Sequence, residues 1–144
     1  YIKNNNLLEN YDIFDIDDLE NVNNYNNDTY NIFYENAIKK AIDKATNQNI
    51  ILASCINPND IKNINIPKSI KTIELILITC SNDELEKRLK ARDKNRNCSS
   101  EEFIKGQVEY QNYMLKHIEQ YSLHLDNSNN DVQSISNEII NYLK

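Results

Sequence analysis

The sequence predicts an α/β fold built on a doubly wound parallel sheet with helices on both faces. Two apolar runs, residues 50–55 and 73–79, are short and rich in isoleucine. Such runs are typical of strands buried on both faces, as parallel sheets require. Segments with helical spacing separate the strand candidates, and this alternation favours right-handed crossovers between parallel strands. We expect a single domain that spans residues 1–144.

Two further strands and two helices are predicted from the apolar pattern. Residues 11–16 (YDIFDI) and 121–125 (YSLHL) are shorter strand candidates with partial alternation of apolar and polar residues. In residues 29–45, apolar side chains recur at i, i+4 and predict an amphipathic helix. A last helix is expected to begin near Asn130 or Asp131 and to run through Leu143.

Capping patterns predict where two more helices begin. Ser81 precedes Glu84 by three residues, and Ser99 precedes Glu102 by the same interval. In a capping box the serine hydroxyl accepts a hydrogen bond from the third helical residue, whose side chain bonds back to the cap. We therefore expect one helix to follow Ser81 and another to follow Ser99.

Composition and charge exclude several classes of partner. The chain carries a net charge of -6, so its surface as a whole repels nucleic acid and anionic membranes. No apolar run approaches the ~20 residues of a membrane span. The three cysteines show no CxxC pairing, which predicts reduced thiols in a cytoplasmic protein, with Cys55 and Cys80 packed in the core. His117 and His124 are expected to be structural, since no residue set has zinc-ligand spacing.

All three arginines of the chain lie in one short segment. Arg88, Arg92 and Arg96 follow one another at intervals of four residues, whereas the lysines are scattered over the whole sequence. Side chains four residues apart lie on one face of a helix. Adjacent guanidinium groups repel one another, and a polyphosphate would satisfy them, because the planar fork of arginine binds two oxygens at once. The alternative is a solvated helix face on which Glu84 and Arg88 form an ordinary ion pair.

A group of carboxylates follows the first predicted strand. Asp15, Asp17 and Asp18 occupy the segment FDIDDL, at the strand end where ligands bind in parallel sheets. One of these carboxylates could accept the proton of an attacking hydroxyl or hold a water of a magnesium shell. The alternative assigns them to a helix cap and a turn.

The order of these motifs resembles that of small P-loop kinases of the nucleoside monophosphate kinase and shikimate kinase type. Residues 73–96 (IELILITCSNDELEKRLKARDKNR) resemble the strand, helix and lid of those enzymes. Residues 124–143 (HLDNSNNDVQSISNEIINYL) resemble their last strand, the loop near the adenine and the terminal helix. Residues 11–19 (YDIFDIDDL) resemble their second strand. The resemblance implies a P-loop NTPase-like fold with a lid at about residues 88–102.

The resemblance also implies roles for individual residues, with ATP as phosphoryl donor and Mg²⁺ as cofactor. Arg88 would lie near the adenine and phosphates of ATP. Arg92 and Arg96 would close over the transferring phosphoryl group and offset its charge.

The remaining implied roles belong to the two other segments. Asp15 or Asp17 would orient the phosphate acceptor or a magnesium-bound water. Asn127 and Ser128 would line the adenine pocket through backbone atoms. The implied activity is phosphoryl transfer to a small hydroxylated or phosphorylated metabolite, such as a nucleoside or nucleotide.

The chain departs from such kinases in one respect. They need the loop G-x-x-x-x-G-K-[ST], whose backbone N–H groups surround the phosphates, and Gly106 is the one glycine in the sequence. We expect the first strand and this loop to precede Tyr1, so that the domain is incomplete at its N-terminus and inactive or impaired without them. The alternative is a non-catalytic nucleotide-binding or protein-interaction module on the same fold. A flavodoxin-like protein would explain the acidic strand ends but not the arginines. The sequence indicates neither the acceptor nor the oligomeric state.

Overall fold

The computed structural model describes residues 1–92, 99–129 and 131–144 and has a mixed α/β fold with short parallel strands. The described contacts divide the chain into two compact units, Tyr1–Ile73 and Glu74–Lys144. In chain order the elements are β1 (Tyr11–Asp15), α1 (Ile16–Leu19), α2 (Tyr30–Lys44), β2 (Asn49–Ala53), α3 (Pro58–Lys62), β3 (Ile76–Thr79), α4 (Asn82–Ala91), α5 (Glu101–Lys116), β4 (Leu123–Asp126) and α6 (Val132–Leu143).

The first unit contains the parallel pair of β1 and β2. The two strands run in register from Tyr11 opposite Asn49 to Asp15 opposite Ala53. The carboxylate of Asp12 in β1 accepts hydrogen bonds of 2.6 Å from the backbone N–H groups of both Thr46 and Asn47. A charged acceptor forms a strong bond with backbone N–H, so Asp12 fixes the turn that leads into β2.

Helix α2 supplies most of the core of the first unit. Its apolar side chains recur at the predicted spacing, and the helix occupies nearly the whole predicted range of 29–45. The inward face meets the short helix α1 and the segment after α3. The buried residues of this core are Ile16, Leu19, Phe33, Tyr34, Ala37, Ala41 and Ile64. The prediction of an amphipathic helix here is confirmed.

The second unit contains the parallel pair of β3 and β4. Its register runs from Ile76 opposite Leu123 to Thr79 opposite Asp126. Helices α4 and α5 lie between the two strands in sequence, so the pair has the crossover that a parallel connection needs. Each helix and each strand of this unit contributes at least one buried apolar residue, namely Leu77, Leu89, Ile104, Leu125, Ile135 and Ile140.

The strands are less buried than their apolar sequences predict. β3 begins at Ile76 rather than Ile73, and the side chains of Ile73 and Ile78 are 40% and 48% exposed. In the described residues each sheet has two strands, so each strand has one unpaired edge and a face that is only partly covered. Cys55 is exposed rather than packed in the core. That prediction is wrong because β2 already ends at Ala53.

The helix starts agree only partly with the predicted capping boxes. The hydroxyl of Ser81 accepts a hydrogen bond of 3.3 Å from the backbone N–H of Glu84, but the carboxylate of Glu84 bonds Arg88, so half of the box is present. Helix α5 is capped by Ser100 and not by Ser99, because Ser100 accepts from the N–H of Phe103 at 3.2 Å.

A complete capping box begins α3 and was missed in the sequence. Asn57 accepts from the backbone N–H of Asp60, and Asp60 accepts in return from that of Asn57. Asparagine followed by proline and then by an acidic residue is the signal that would have found it.

The cap of α5 can be tested with two neighbouring serines. We expect Ser100→Ala to lower the free energy of unfolding by about 1 kcal/mol, because the N–H of Phe103 loses its acceptor. Ser99→Ala is the matched control and should change stability by less than about 0.5 kcal/mol. Urea denaturation followed by circular dichroism measures both. A larger loss of stability for Ser99→Ala than for Ser100→Ala would contradict the assignment of the cap to Ser100.

Asp12 is expected to make the fold sensitive to acid. The N–H of Asn47 is the main cause that lowers the pKa of Asp12 below its ordinary value, and the N–H of Thr46 adds to it. A carboxyl whose pKa is lower in the folded state stabilises the fold above its ordinary pKa. That contribution disappears as the pH falls through the lowered pKa. Asp12→Asn should therefore flatten the fall in Tm between about pH 4 and pH 2, as measured by thermal melts. The same change at the exposed Asp43 of α2 should leave the slope as in the unmodified chain, and an equal effect would contradict the assignment.

Candidate functional site

The parallel register of β3 and β4 brings the carboxyl ends of two strands to one edge. Thr79 and Asp126, the last residues of the strands, lie opposite each other. The segments that follow are 80–82 and 127–129, and together they form what we call the β3–β4 edge. Ligands of parallel α/β sheets bind at the carboxyl ends of the strands. The β3–β4 edge is therefore the place in this unit where a ligand is expected.

The loop after β4 is held by a short network of hydrogen bonds. Ser128 donates from its backbone N–H and from its hydroxyl to the same carboxylate oxygen of Asp126. These two hydrogen bonds lower the pKa of Asp126 below its ordinary value, and the bond from the hydroxyl has the larger effect. The backbone N–H of Ser81 donates to the Ser128 hydroxyl oxygen at 2.8 Å, and the N–H of Asn127 donates to the carbonyl of Thr79 at 2.7 Å. The loop is thus joined to the start of α4 and to the end of β3.

Arg88 provides a second connection between α4 and this loop. Its Nη2 donates to the backbone carbonyl of Asn127 at 2.6 Å, and its Nε donates to Oε1 of Glu84 at 2.8 Å. The side chain of Arg88 is 29% exposed. The structure therefore brings together three residues predicted for the nucleotide site: Arg88, Asn127 and Ser128. The ion pair between Glu84 and Arg88 that the alternative interpretation expected is present as well.

The other two arginines have different positions. Arg92 follows the last residue of α4, is exposed, and has extended backbone angles, with its N–H bonded to the carbonyl of Leu89 at 3.2 Å. Because α4 ends at Ala91, Arg92 is the C-cap of the helix and follows the helical face that carries Arg88. Arg96 and residues 93–98 of the predicted lid lie outside the described residues.

Gln111 of α5 supports the β3–β4 edge from within the unit. Its side-chain oxygen accepts from the N–H of Cys80 at 3.2 Å, and its amide nitrogen donates to the carbonyl of Cys80 at 2.9 Å and to Oδ1 of Asn82 at 3.2 Å. The residue is buried, and burial also raises the pKa of the Cys80 thiol. Sequence reasoning missed Gln111. Its sequence signal is its position seven residues, or about two helical turns, after the apolar Ile104, which places both on one face of α5.

His124 forms a cross-strand contact behind the edge. Its Nε2 lies 2.8 Å from the hydroxyl of Thr79, which is buried at the end of β3. Both residues sit on the same face of the pair, because they are diagonal neighbours in the register. The contact joins the two strands where the site begins.

Asp15 and Asp17 lie in the first unit, after β1. Asp15 is the N-cap of α1 and accepts from the N–H of Asp17 at 3.0 Å, while Asp17 and Asp18 occupy the first helical turn. Asp15 thus has the capping contact that the alternative expected. Among residues 1–92, 99–129 and 131–144, no three His, Cys, Asp or Glu side chains are grouped to hold a metal ion. The metal-binding role of Asp15 and Asp17 stays a prediction.

A cavity of about 210 Å³ lies elsewhere in the first unit. It is lined by residues of the segments 2–8 and 11–14. None of the residues predicted for catalysis or binding lines it, so it adds nothing to the candidate site.

No protein-family model, curated protein or solved structure matches this chain. No helix in the described part of the chain has both the length and the hydrophobicity needed to cross a lipid bilayer. A function for this chain is therefore argued from the β3–β4 edge and from the sequence motifs.

Gln111 can be tested as the support of the edge. We expect Gln111→Met to cost about 1–3 kcal/mol of stability, because it removes the partners of the Cys80 backbone groups without removing much volume. Gln133→Met, on the exposed surface of α6, is the control and should stay within about 0.5 kcal/mol. Chemical denaturation gives both values. Equal stabilities would mean that Gln111 does not hold the edge.

Proposed function

We propose that this chain forms the base-binding and lid side of an ATP-dependent kinase that phosphorylates a small metabolite. The observation that carries the proposal is the bond from Arg88 to the carbonyl of Asn127 at the carboxyl edge of a parallel pair. We also propose that the described strands belong to a doubly wound parallel sheet of the P-loop type. The acceptor is a hydroxylated or phosphorylated metabolite of the nucleoside or nucleotide class.

The chemistry of the edge suits a nucleotide. Within the described residues, the guanidinium of Arg88 gives two of its five N–H donors to protein groups, so further donors remain for a ligand that lies beside the loop. The backbone N–H groups of Asn127 and Ser128 already donate to Thr79 and Asp126, so this loop would hydrogen-bond a purine through its carbonyl oxygens, which have two lone pairs each. A rigid loop beside a planar cation can hold a base and the phosphates attached to it.

Arg92 and Arg96 supply the catalytic charge in this proposal. Phosphoryl transfer spreads negative charge over the oxygens of the transferring group, and catalysis consists mainly of positioning and of offsetting that charge. Arg92 is exposed and follows the end of α4, which leaves its side chain available to close over a ligand. Arg96 takes the next position of the proposed lid.

Asp15 and Asp17 are the proposed carboxylates for the acceptor and for magnesium. Magnesium in such sites is held by one or two carboxylates together with substrate phosphates, and Asp15 and Asp17 are both exposed. One oxygen of Asp15 is occupied by the N–H of Asp17, which leaves its second oxygen and the carboxylate of Asp17 for this purpose. When bound, magnesium would neutralise part of the phosphate charge.

The kinase proposal requires a phosphate-binding loop that the 144 residues do not contain. A complete enzyme would need G-x-x-x-x-G-K-[ST] from outside these 144 residues. Finding that motif there supports the enzyme, whereas a start codon next to Tyr1 supports the second candidate. That candidate is a non-catalytic nucleotide-binding or protein-interaction module. It is favoured by one observation, that Arg88 already bonds two protein groups.

Ligand titration tests the proposal on the chain itself. Without a phosphate-binding loop we expect ATP to bind with a Kd of about 0.1–1 mM, or roughly -5 kcal/mol, by nuclear magnetic resonance titration. Arg92→Ala should weaken ATP binding about fivefold and leave adenosine binding unchanged, because it removes one exposed charge from the phosphate side.

Lys90→Ala is the matched control for Arg92→Ala. It removes the same charge from an exposed position on the same helix, where Lys90 pairs with Glu86, and should leave both affinities unchanged. Equal weakening by the two variants would contradict the lid role of Arg92. Sub-micromolar binding of ATP by the unmodified chain would contradict the need for the missing loop.

A further inference from the structure

Helix α4 reaches the loop after β4 at two points. The backbone N–H of Ser81, at the N-cap of the helix, donates to Ser128, and the guanidinium of Arg88 donates to Asn127. These contacts lie seven residues apart, or about two helical turns. The loop is therefore bridged along α4 rather than held at a single atom.

Glu84 lies between these two contacts and is bonded to the α4 residue of each, Ser81 and Arg88. Its backbone N–H bonds the hydroxyl of Ser81 at 3.3 Å, and its carboxylate bonds Nε of Arg88 at 2.8 Å. The side chain of Glu84 is 18% exposed, less than that of Arg88. The hydrogen bond from Arg88 is the main cause that lowers the pKa of Glu84 below its ordinary value. The Glu84 carboxylate therefore stays charged around neutral pH.

The bond to Nε sets the direction of the whole guanidinium group. Arginine carries its donors in a rigid plane, so a carboxylate that holds Nε also fixes where the two Nη atoms point. In this structure Nη2 points at the carbonyl of Asn127. The contact of Glu84 with Lys87 is longer, at 3.5 Å, and Lys87 is 78% exposed. Arg88 is thus the main partner of Glu84.

We infer that Glu84 is a positioning residue for the base side of the nucleotide site: by holding Arg88 it fixes the loop of Asn127 and Ser128. The inference rests on the proposed function, since it is that function which assigns this loop to the nucleobase. It also separates two arginines of the predicted stripe. Arg88 acts on the base through the loop, and Arg92 acts on the phosphates.

The experiment compares Glu84→Gln with Glu86→Gln in the full 144-residue chain. Both variants remove one negative charge from α4, but Glu86 pairs only with the exposed Lys90 among the described residues. Without ligand, Glu84→Gln should shift the amide resonances of Asn127 and Ser128, and Glu86→Gln should leave them in place. With ligand, Glu84→Gln should weaken adenosine binding about threefold to fivefold and leave tripolyphosphate binding unchanged.

A double-mutant cycle identifies a residue that acts through another one. Arg88→Lys keeps the charge but loses the planar fork, so it should reproduce the effect of Glu84→Gln on the loop and on adenosine. In the Arg88→Lys background, Glu84→Gln should then have no further effect. Additive effects of the two changes would overturn the inference.

The remaining outcomes separate the inference from the proposed function. If the amides of Asn127 and Ser128 do not respond to Glu84→Gln, the inference is overturned whatever adenosine does. If they respond but the unmodified chain shows no binding of adenosine at millimolar concentration, the proposed function is overturned together with the ligand that the inference assigns. Selective loss of adenosine binding with a shifted loop supports both.

Discussion

The hydrogen bond from Arg88 to the carbonyl of Asn127 is the interaction on which the candidate site depends. It is 2.6 Å long and joins α4 to the loop after β4, at the edge where two parallel strands end. A bond from a charged donor to a carbonyl contributes about 1.5–3 kcal/mol, whereas an ion pair between i and i+4 on a helix surface contributes little by itself. The bond to the loop is therefore the main structural use of Arg88, and the pair with Glu84 serves to direct it.

That bond also decides how the arginine stripe is interpreted. Spacing alone places Arg88 and Arg92 on one helical face and predicts a shared ligand. In the structure Arg88 contacts protein groups at the edge, while Arg92 follows the end of α4 and is exposed. In the proposed function the two residues would therefore serve different parts of one ligand, Arg88 the base through the loop and Arg92 the phosphate chain.

Much of the order of elements could be predicted from the sequence, whereas their limits and polar contacts could not. Apolar runs indicated β2 and β3, and partial alternation indicated β1 and β4, but the length of β3 is set by its pairing with β4, which begins at Leu123. Apolar character does not show which backbone groups are paired, so the prediction started β3 three residues too early. The prediction placed the cap of α5 at Ser99, one residue before the observed cap at Ser100, because the sequence pattern does not fix a helix start to within one position.

The site illustrates the same limit. The proximity of Arg88 to Asn127 and Ser128 followed from the resemblance to P-loop kinases, because no spacing rule connects residues 39 positions apart in sequence. Gln111 could not be predicted, because a single glutamine on a helix does not reveal that it bonds a strand end 31 residues away. Asp15 fitted two descriptions from the sequence, and the structure gives it the contact of a cap.

The most direct test of the central claim is the side-chain resonance of Arg88 itself. With three arginines in the chain, the Nε–H signals can be assigned by substitution and followed during a titration with ATP. We predict that the Nε–H signal of Arg88 and the amides of Asn127 and Ser128 shift together and saturate at one ligand concentration. If ATP leaves these three signals in place, or shifts only signals elsewhere in the chain, Arg88 and its loop do not form a nucleotide site.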